Sequence, residues 1–145
     1  MHHLHIANTL EDMRLMAKEI VLHVDKYPIF LLKGELGAGK TTLAQMICLE
    51  LGVKESVTSP TYTIVNEYFS SAQKKIYHFD LYRLEKESEL DGFGFLEYLD
   101  SGNICLIEWP EMAKNYLIDF PSIEIIIQKI NEGRKIAINY HTLTV

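Results

Sequence analysis

The segment Gly34-Glu35-Leu36-Gly37-Ala38-Gly39-Lys40-Thr41 fits the spacing G-x-x-x-x-G-K-[ST] in full. Its residue types suit one kind of chemistry. Glycines let the backbone turn so that successive N–H groups point inward at phosphate oxygens, and a helix starting there adds the positive end of its dipole. Lys40 then reaches the β- and γ-phosphates, and the Thr41 hydroxyl ligates Mg²⁺. The pattern implies that the chain binds a nucleoside triphosphate, with Thr42 continuing the loop into its helix.

Such a loop needs a carboxylate to complete the magnesium shell, usually at the end of a buried apolar strand. Ile104-Cys-Leu-Ile-Glu108 has that form, with Glu in place of Asp. The bland alternative is a strand-end acid satisfying local amides. Asp80, within Tyr77-His-Phe-Asp-Leu-Tyr-Arg83, is the second candidate. On a strand, His78 and Asp80 share one face while Phe79 and Leu81 share the other. A carboxylate on so apolar a strand is costly to bury unless it is paired or metal-bound, and an ion pair with a neighbouring cation is the competing explanation. His78 reads as a packed strand residue rather than a base.

Thr58-Ser-Pro-Thr61 is a hydroxyl-rich loop some 20 residues beyond the glycine-rich turn. In P-loop enzymes such a position often holds a segment that senses the γ-phosphate, although an ordinary proline turn fits equally well. Trp109, the only tryptophan, either borders the site or caps the core. Asp91-Gly-Phe-Gly94 matches D-x-x-G by coincidence, since no buried strand precedes it and no Asn-Lys-x-Asp selects guanine. His2, His3 and His5 read as a frayed N-terminus rather than as metal ligands.

The elements that must position these groups follow from periodicity. Leu10, Met13, Ala17, Ile20, Val21 and Val24 recur at helical spacing, with Thr9 as N-cap and Asp12 three residues on. Ile29–Lys33 is an apolar strand leading into the glycine-rich turn. The next helix runs from Lys40 to Leu51 and stops at Gly52. Strands are expected near Tyr62–Tyr68 and Lys75–Leu81, and short helices within 86–100, interrupted at Gly92 and Gly94. Ile104–Ile107 reads as a strand buried on both faces. Ser122–Ile130 and Arg134–Leu143 flank Asn131-Glu-Gly133 as a hairpin. The expected fold is α/β: a P-loop NTPase-like three-layer domain spanning 1–145, with a mixed, mostly parallel-core sheet flanked by helices and a C-terminal antiparallel hairpin.

Composition narrows the classes. The 145 residues, 48% of them hydrophobic, suffice for one core. A net charge of −6 and only three arginines, Arg14, Arg83 and Arg134, argue against gripping a polyphosphate backbone unaided. No apolar run reaches the ~18–20 residues of a membrane helix, and the N-terminus lacks a secretory pattern. Cys48 and Cys105 form no C-x-x-C and read as reduced, buried thiols of a cytoplasmic protein.

Taken together, Gly34–Thr42, Ser59-Pro-Thr-Tyr-Thr63, His78-Phe-Asp-Leu-Tyr-Arg-Leu84 and Glu108-Trp109 resemble the bacterial TsaE family, formerly YjeE. This is the ATPase subunit of the machinery that makes threonylcarbamoyladenosine on tRNA, and the likeness runs from about the first helix to Arg134. The resemblance implies that Glu35 to Thr42 hold ATP and that Thr41 and Glu108 hold Mg²⁺. It implies that Asp80 is needed for hydrolysis and that Ser59-Pro-Thr61 is a switch-like segment facing the γ-phosphate. It also places Trp109 beside the site, Arg134 on the nucleotide side, and Glu11 near the adenine. The expected partners are a TsaB–TsaD pair, which would grip tRNA, with slow hydrolysis by this chain alone. Some members continue into another C-terminal helix, whereas the sequence here stops at Val145, so the resemblance implies nothing about contacts of such a tail.

On this reading Asp80, together with Thr61, orients the attacking water, and catalysis is positioning plus electrostatic stabilisation. Two rivals are kept: a small-molecule kinase, for which three arginines and no lid insertion are poor equipment, and an assembly switch in which bound ATP orders the Ser59–Thr61 loop for a partner.

Overall fold

A computed structural model of the chain describes residues 2–60 and 63–142. Each element arises where the local chemistry favours it. Helix α1 (Leu10–Val21) opens on a capping box: the Thr9 hydroxyl accepts from the Asp12 N–H, and the Asp12 carboxylate accepts from the Thr9 N–H. Such a cap contributes about 1 kcal/mol. The helix buries Met13, Met16, Ala17 and Ile20, while Leu10 stays exposed. Helical winding ends at Val21, short of Val24, and continues as tight turns to Tyr27.

Strand β2 (Ile29–Lys33) precedes helix α2 (Lys40–Glu50). Gly52, at φ +85°, ends that helix: the Val53 N–H reaches the Cys48 carbonyl at 3.0 Å, closing a turn that favours glycine's left-handed backbone. Strands β3 (Val65–Phe69) and β4 (Lys75–Asp80) form a hairpin closed by Ser70 N–H to Lys74 O at 2.9 Å. Of the expected strand near Tyr62–Tyr68, residues 63 and 64 are bends, the strand begins at Val65, and Tyr62 lies outside the described residues. Two short helices follow, α3 (Glu89–Gly92) and α4 (Phe95–Asp100). Then comes β5 (Ile104–Glu108), buried along its whole length. A 3-10 turn over Pro110–Ala113 and helix α5 (Lys114–Leu117), neither anticipated, lead to the hairpin β6 (Ser122–Lys129) and β7 (Arg134–His141).

The N-terminal residues differ from expectation. His2–Ala7 form strand β1, which pairs antiparallel with β7 from His2↔Asn139 to Ala7↔Arg134. His3 and His5 therefore lie in an edge strand and not in a frayed end. The pairing partner is more than 120 residues away in sequence, so no local signal announces it.

The seven strands make one sheet in the order β1-β7-β6-β2-β5-β4-β3. Its centre, β6-β2-β5-β4, is parallel, and the outer pairs β6-β7, β7-β1 and β4-β3 are antiparallel. Helices α1 and α2 pack on one face with Phe30, Leu32, Ile125 and Ile136. Helices α3, α4 and α5 pack on the other with Ile29, Leu31, Phe79 and Ile107. The result is the three-layer, mixed α/β arrangement expected from the sequence. Two registers matter for chemistry: Leu32 pairs with Glu108, and Asp80 pairs with Glu108. The carboxyl ends of β2, β4 and β5 thus meet at one edge, where open α/β sheets bind ligands.

Candidate functional site

The loop between β2 and α2 curls over that edge and opens a cleft of about 340 Å³. Leu36, Gly37, Gly39, Lys40, Thr41 and Thr42 line it from the loop, and Ser59, Asp80, Tyr82, Glu108 and Trp109 line the opposite side.

Lys40 is almost completely buried, and its ammonium donates to the carbonyls of Gly34 and Glu35, the latter at 3.0 Å. Its third neighbour is an aromatic face, since Nζ lies 4.0 Å from the centre of the Trp109 ring. Burial lowers the Lys40 pKa, opposed by the charges of Glu108, Glu111 and Asp80. Trp109 holds this position from a left-handed backbone, φ +59°, and Tyr82 packs on it with ring centres 4.9 Å apart.

Glu108 ends β5 at only 3% exposure. Burial alone would raise its pKa, but hydrogen bonds and charge from His78, and hydrogen bonds from Thr41 and Ser59, hold it below the ordinary value. The Thr41 hydroxyl lies 3.1 Å from Oε1, the Ser59 hydroxyl 3.1 Å from Oε2, and the two hydroxyls are 2.6 Å apart. Two hydroxyl hydrogens cannot serve all three contacts. A tight cluster of hard oxygens with fewer hydrogens than contacts suits a cation such as Mg²⁺, which takes carboxylate, hydroxyl and water oxygens. Thr41 and Glu108 therefore fit that ion.

Asp80 faces the same cleft, half-buried, with Oδ1 accepting from the Tyr82 N–H at 3.1 Å. Burial raises its pKa, with a smaller push from Glu108, against the Tyr82 hydrogen bond and the charges of His78 and Arg83. Asp80 makes no ion pair among the described residues.

The loop across the cleft is tied down on both sides. The Tyr68 hydroxyl and the Asn66 amide reach the Thr58 carbonyl at 3.2 and 3.0 Å, and Arg83 donates to the Pro60 carbonyl at 3.1 Å. Ser59 is thereby aimed at Thr41 and Glu108. Thr61 lies outside the described residues.

The remaining expected residues sit around the loop rather than in the cleft. Arg134 donates from Nε to the Ala38 carbonyl at 2.7 Å, tying the C-terminal hairpin to the glycine-rich loop. Gly133, at φ +86°, lets the hairpin turn pack against the start of the chain, where a Cβ would run into the Ala7 carbonyl oxygen. Glu35 and Ala38 line a separate groove against β6, which Leu36 also borders. Glu11 is exposed on the first turn of α1, 3.6 Å from Arg14, and does not line the cleft.

Two residues of the site carry only a weak signal in the sequence, and a third carries almost none. His78 is a packed strand residue, fully buried, yet its Nε2 also contacts Glu108 Oε2 at 2.6 Å. Its place two residues before Asp80 on the same strand face was the available signal. Ser59 entered only as part of a loop, because nothing local shows which hydroxyl turns inward. Tyr82 carried no signal beyond its adjacency to Asp80.

The family described as threonylcarbamoyl adenosine biosynthesis protein TsaE matches residues 7–136. A tRNA threonylcarbamoyladenosine biosynthesis protein TsaE from Haemophilus influenzae is 45% identical over 106 residues, covering 73% of this chain and 65% of the relative, just under two thirds of its length. The Bacillus subtilis protein of the same name is 33% identical over 125 residues, covering 86% and 77%. The crystal structure of YdiB from Bacillus subtilis superposes with a TM-score of 0.76 at 26% identity, covering 95% of this chain and 84% of that one. With its glycine-rich loop, paired strand-end carboxylates and family match over most of its length, this chain belongs to the TsaE family.

Proposed function

We propose that this chain is the Mg²⁺-dependent ATP-binding and hydrolysing subunit required for threonylcarbamoyladenosine formation on tRNA, working with a TsaB–TsaD pair. Family membership supports the role in tRNA threonylcarbamoyladenosine biosynthesis. The observation that carries the nucleotide chemistry is the convergence of Lys40, Thr41, Asp80 and Glu108 on one cleft at the carboxyl edge of the sheet.

On this proposal the backbone amides of Glu35 to Thr42 and the Lys40 ammonium cradle the β- and γ-phosphates. Thr41 and Glu108 hold Mg²⁺, which neutralises charge on the phosphate oxygens when bound. Asp80 lies beside Glu108 with its carboxylate open to the cleft, and orients the attacking water; its raised pKa suits a group that accepts a proton. Thr61, outside the described residues, is proposed to assist on the strength of the family resemblance.

None of the three arginines lines the cleft: Arg14 pairs with glutamates, Arg83 donates to the Pro60 carbonyl and Arg134 to the Ala38 carbonyl. The chain therefore lacks a cationic finger of its own over the γ-phosphate, which supports slow turnover alone and acceleration by partners. The net charge of −6 supports leaving the tRNA to those partners. A soluble, cytoplasmic setting follows from this role, and no helix among the described residues is long and apolar enough to cross a membrane.

A second reading is an assembly switch in which ATP binding alone matters. The contact of Ser59 with both Thr41 and Glu108 favours it, because a nucleotide entering there changes what holds the loop. One experiment separates the two: ATP hydrolysis by the purified chain, alone and with a TsaB–TsaD pair. Strong stimulation supports the ATPase cycle. Tight ATP binding without stimulated turnover supports the switch.

A further inference from the structure

Among the described residues, one buried side-chain polar atom has no hydrogen-bond partner: Nδ1 of His78. Leaving such an atom unpaired costs about 1–3 kcal/mol. The compensation lies at the other ring nitrogen, 2.6 Å from Glu108 Oε2. A carboxylate only accepts, so Nε2 carries the hydrogen and donates it.

That bond decides how Glu108 is oriented. Oε2 receives both His78 and Ser59, whereas Oε1 has the Thr41 hydroxyl as its partner. Ser59 belongs to a loop, but His78 stands in the middle of β4, an interior strand, opposite Asn66 of β3 and Leu106 of β5. The imidazole is completely buried, with the Tyr68 ring beside it at 6.5 Å between centres. It is the fixed donor of the three.

We propose that His78 is a positioning residue for the metal site: by saturating Oε2 of Glu108 it turns Oε1 toward Thr41 and the cleft. The inference rests on the reading in which Glu108 and Thr41 hold the divalent ion. Hydrogen-bond partners of metal ligands typically contribute 10- to 100-fold to metal affinity. His78 itself touches neither nucleotide nor ion.

The test uses the full chain with Mn²⁺ as a paramagnetic probe, titrated in the presence of a non-hydrolysable ATP analogue. Nucleotide affinity is measured separately in EDTA, and thermal melting reports folding. His78→Leu removes the donor. His78→Gln keeps a terminal amide at the Nε2 position, and His78→Asn is a buried polar control too short to reach Glu108. The expected result is about 10-fold or greater weakening of Mn²⁺ binding in the Leu and Asn variants, with rescue by Gln and unchanged nucleotide affinity in EDTA. If the Leu variant does not fold, the Gln–Asn pair carries the comparison. Equal Mn²⁺ affinity in Asn and Gln, or parallel loss of metal and nucleotide binding, overturns the positioning role. Failure of the unsubstituted chain to bind Mn²⁺ with nucleotide would overturn the metal-site reading itself.

Discussion

The Lys40 ammonium rests 4.0 Å from the centre of the Trp109 ring while donating to two carbonyls of its own loop. The lysine proposed to bind phosphate is thus engaged by its own loop and by Trp109, contacts with which a triphosphate would compete. A desolvated cation–π contact contributes about 2 kcal/mol or more, so it is a real competitor to the charge-assisted hydrogen bonds that phosphate oxygens would offer.

Replacing Trp109 as partner should be visible. It is the only tryptophan, so its emission reports this one site. Addition of Mg·ATP is expected to change that emission saturably as Lys40 leaves the ring. A flat titration, with binding shown independently by calorimetry, would remove Trp109 from the nucleotide's surroundings.

Lys40→Ala deletes the only cation lining the cleft among the described residues. Charge-assisted hydrogen bonds contribute about 1.5–3 kcal/mol, so ATP affinity is expected to fall roughly 10- to 100-fold. Isothermal calorimetry measures it, and unchanged affinity would refute the phosphate role.

Asp80→Ala should behave differently. Asp80 shares the cleft but holds no loop backbone beyond Tyr82. ATP binding is expected to stay within about threefold, while hydrolysis with partners falls by about 10²–10⁴, the usual contribution of a positioned base. Comparable turnover would take Asp80 out of the mechanism.

Cys48 and Cys105 are buried, and burial pushes both thiols up to about 12. At pH 8 the thiolate fraction is then negligible. Neither is expected to react with a disulfide reagent in the folded protein, and both should react in denaturant. Rapid labelling under native conditions would contradict this packing.

Glu124 lies 2.7 Å from Lys33 and accepts from Asn139 at 2.9 Å. Burial would raise its pKa, but the hydrogen bonds and charge of Lys33, the Asn139 hydrogen bond and the charge of His141 hold it below the ordinary value. Since the folded-state pKa is depressed, the pair stabilises above the unfolded glutamate range and fades as pH drops through the folded value. Glu124→Gln is expected to cost about 1 kcal/mol at pH 7, after allowing for solvent screening, with the difference vanishing in acid. A pH-independent difference in denaturant midpoints would assign the loss to packing.

Local chemistry was enough to locate much of this protein. The glycine-rich loop, the capping box at Thr9, the stop at Gly52 and the apolar strand ending in Glu108 each depend on neighbours within a few residues, so their positions are written in short windows. The family blocks added the pairing of Asp80 with that loop. What no window contains is which strands lie side by side. The β4–β5 register sets Asp80 opposite Glu108 and His78 opposite Leu106, so that the His78 ring reaches Glu108 across the sheet. The β1–β7 pairing turned the N-terminal histidines into an edge strand and, with Gly133, brought Arg134 onto the P-loop backbone. Those choices depend on hydrogen bonds and apolar burial between segments 30 to more than 120 residues apart, which only the closed sheet makes possible.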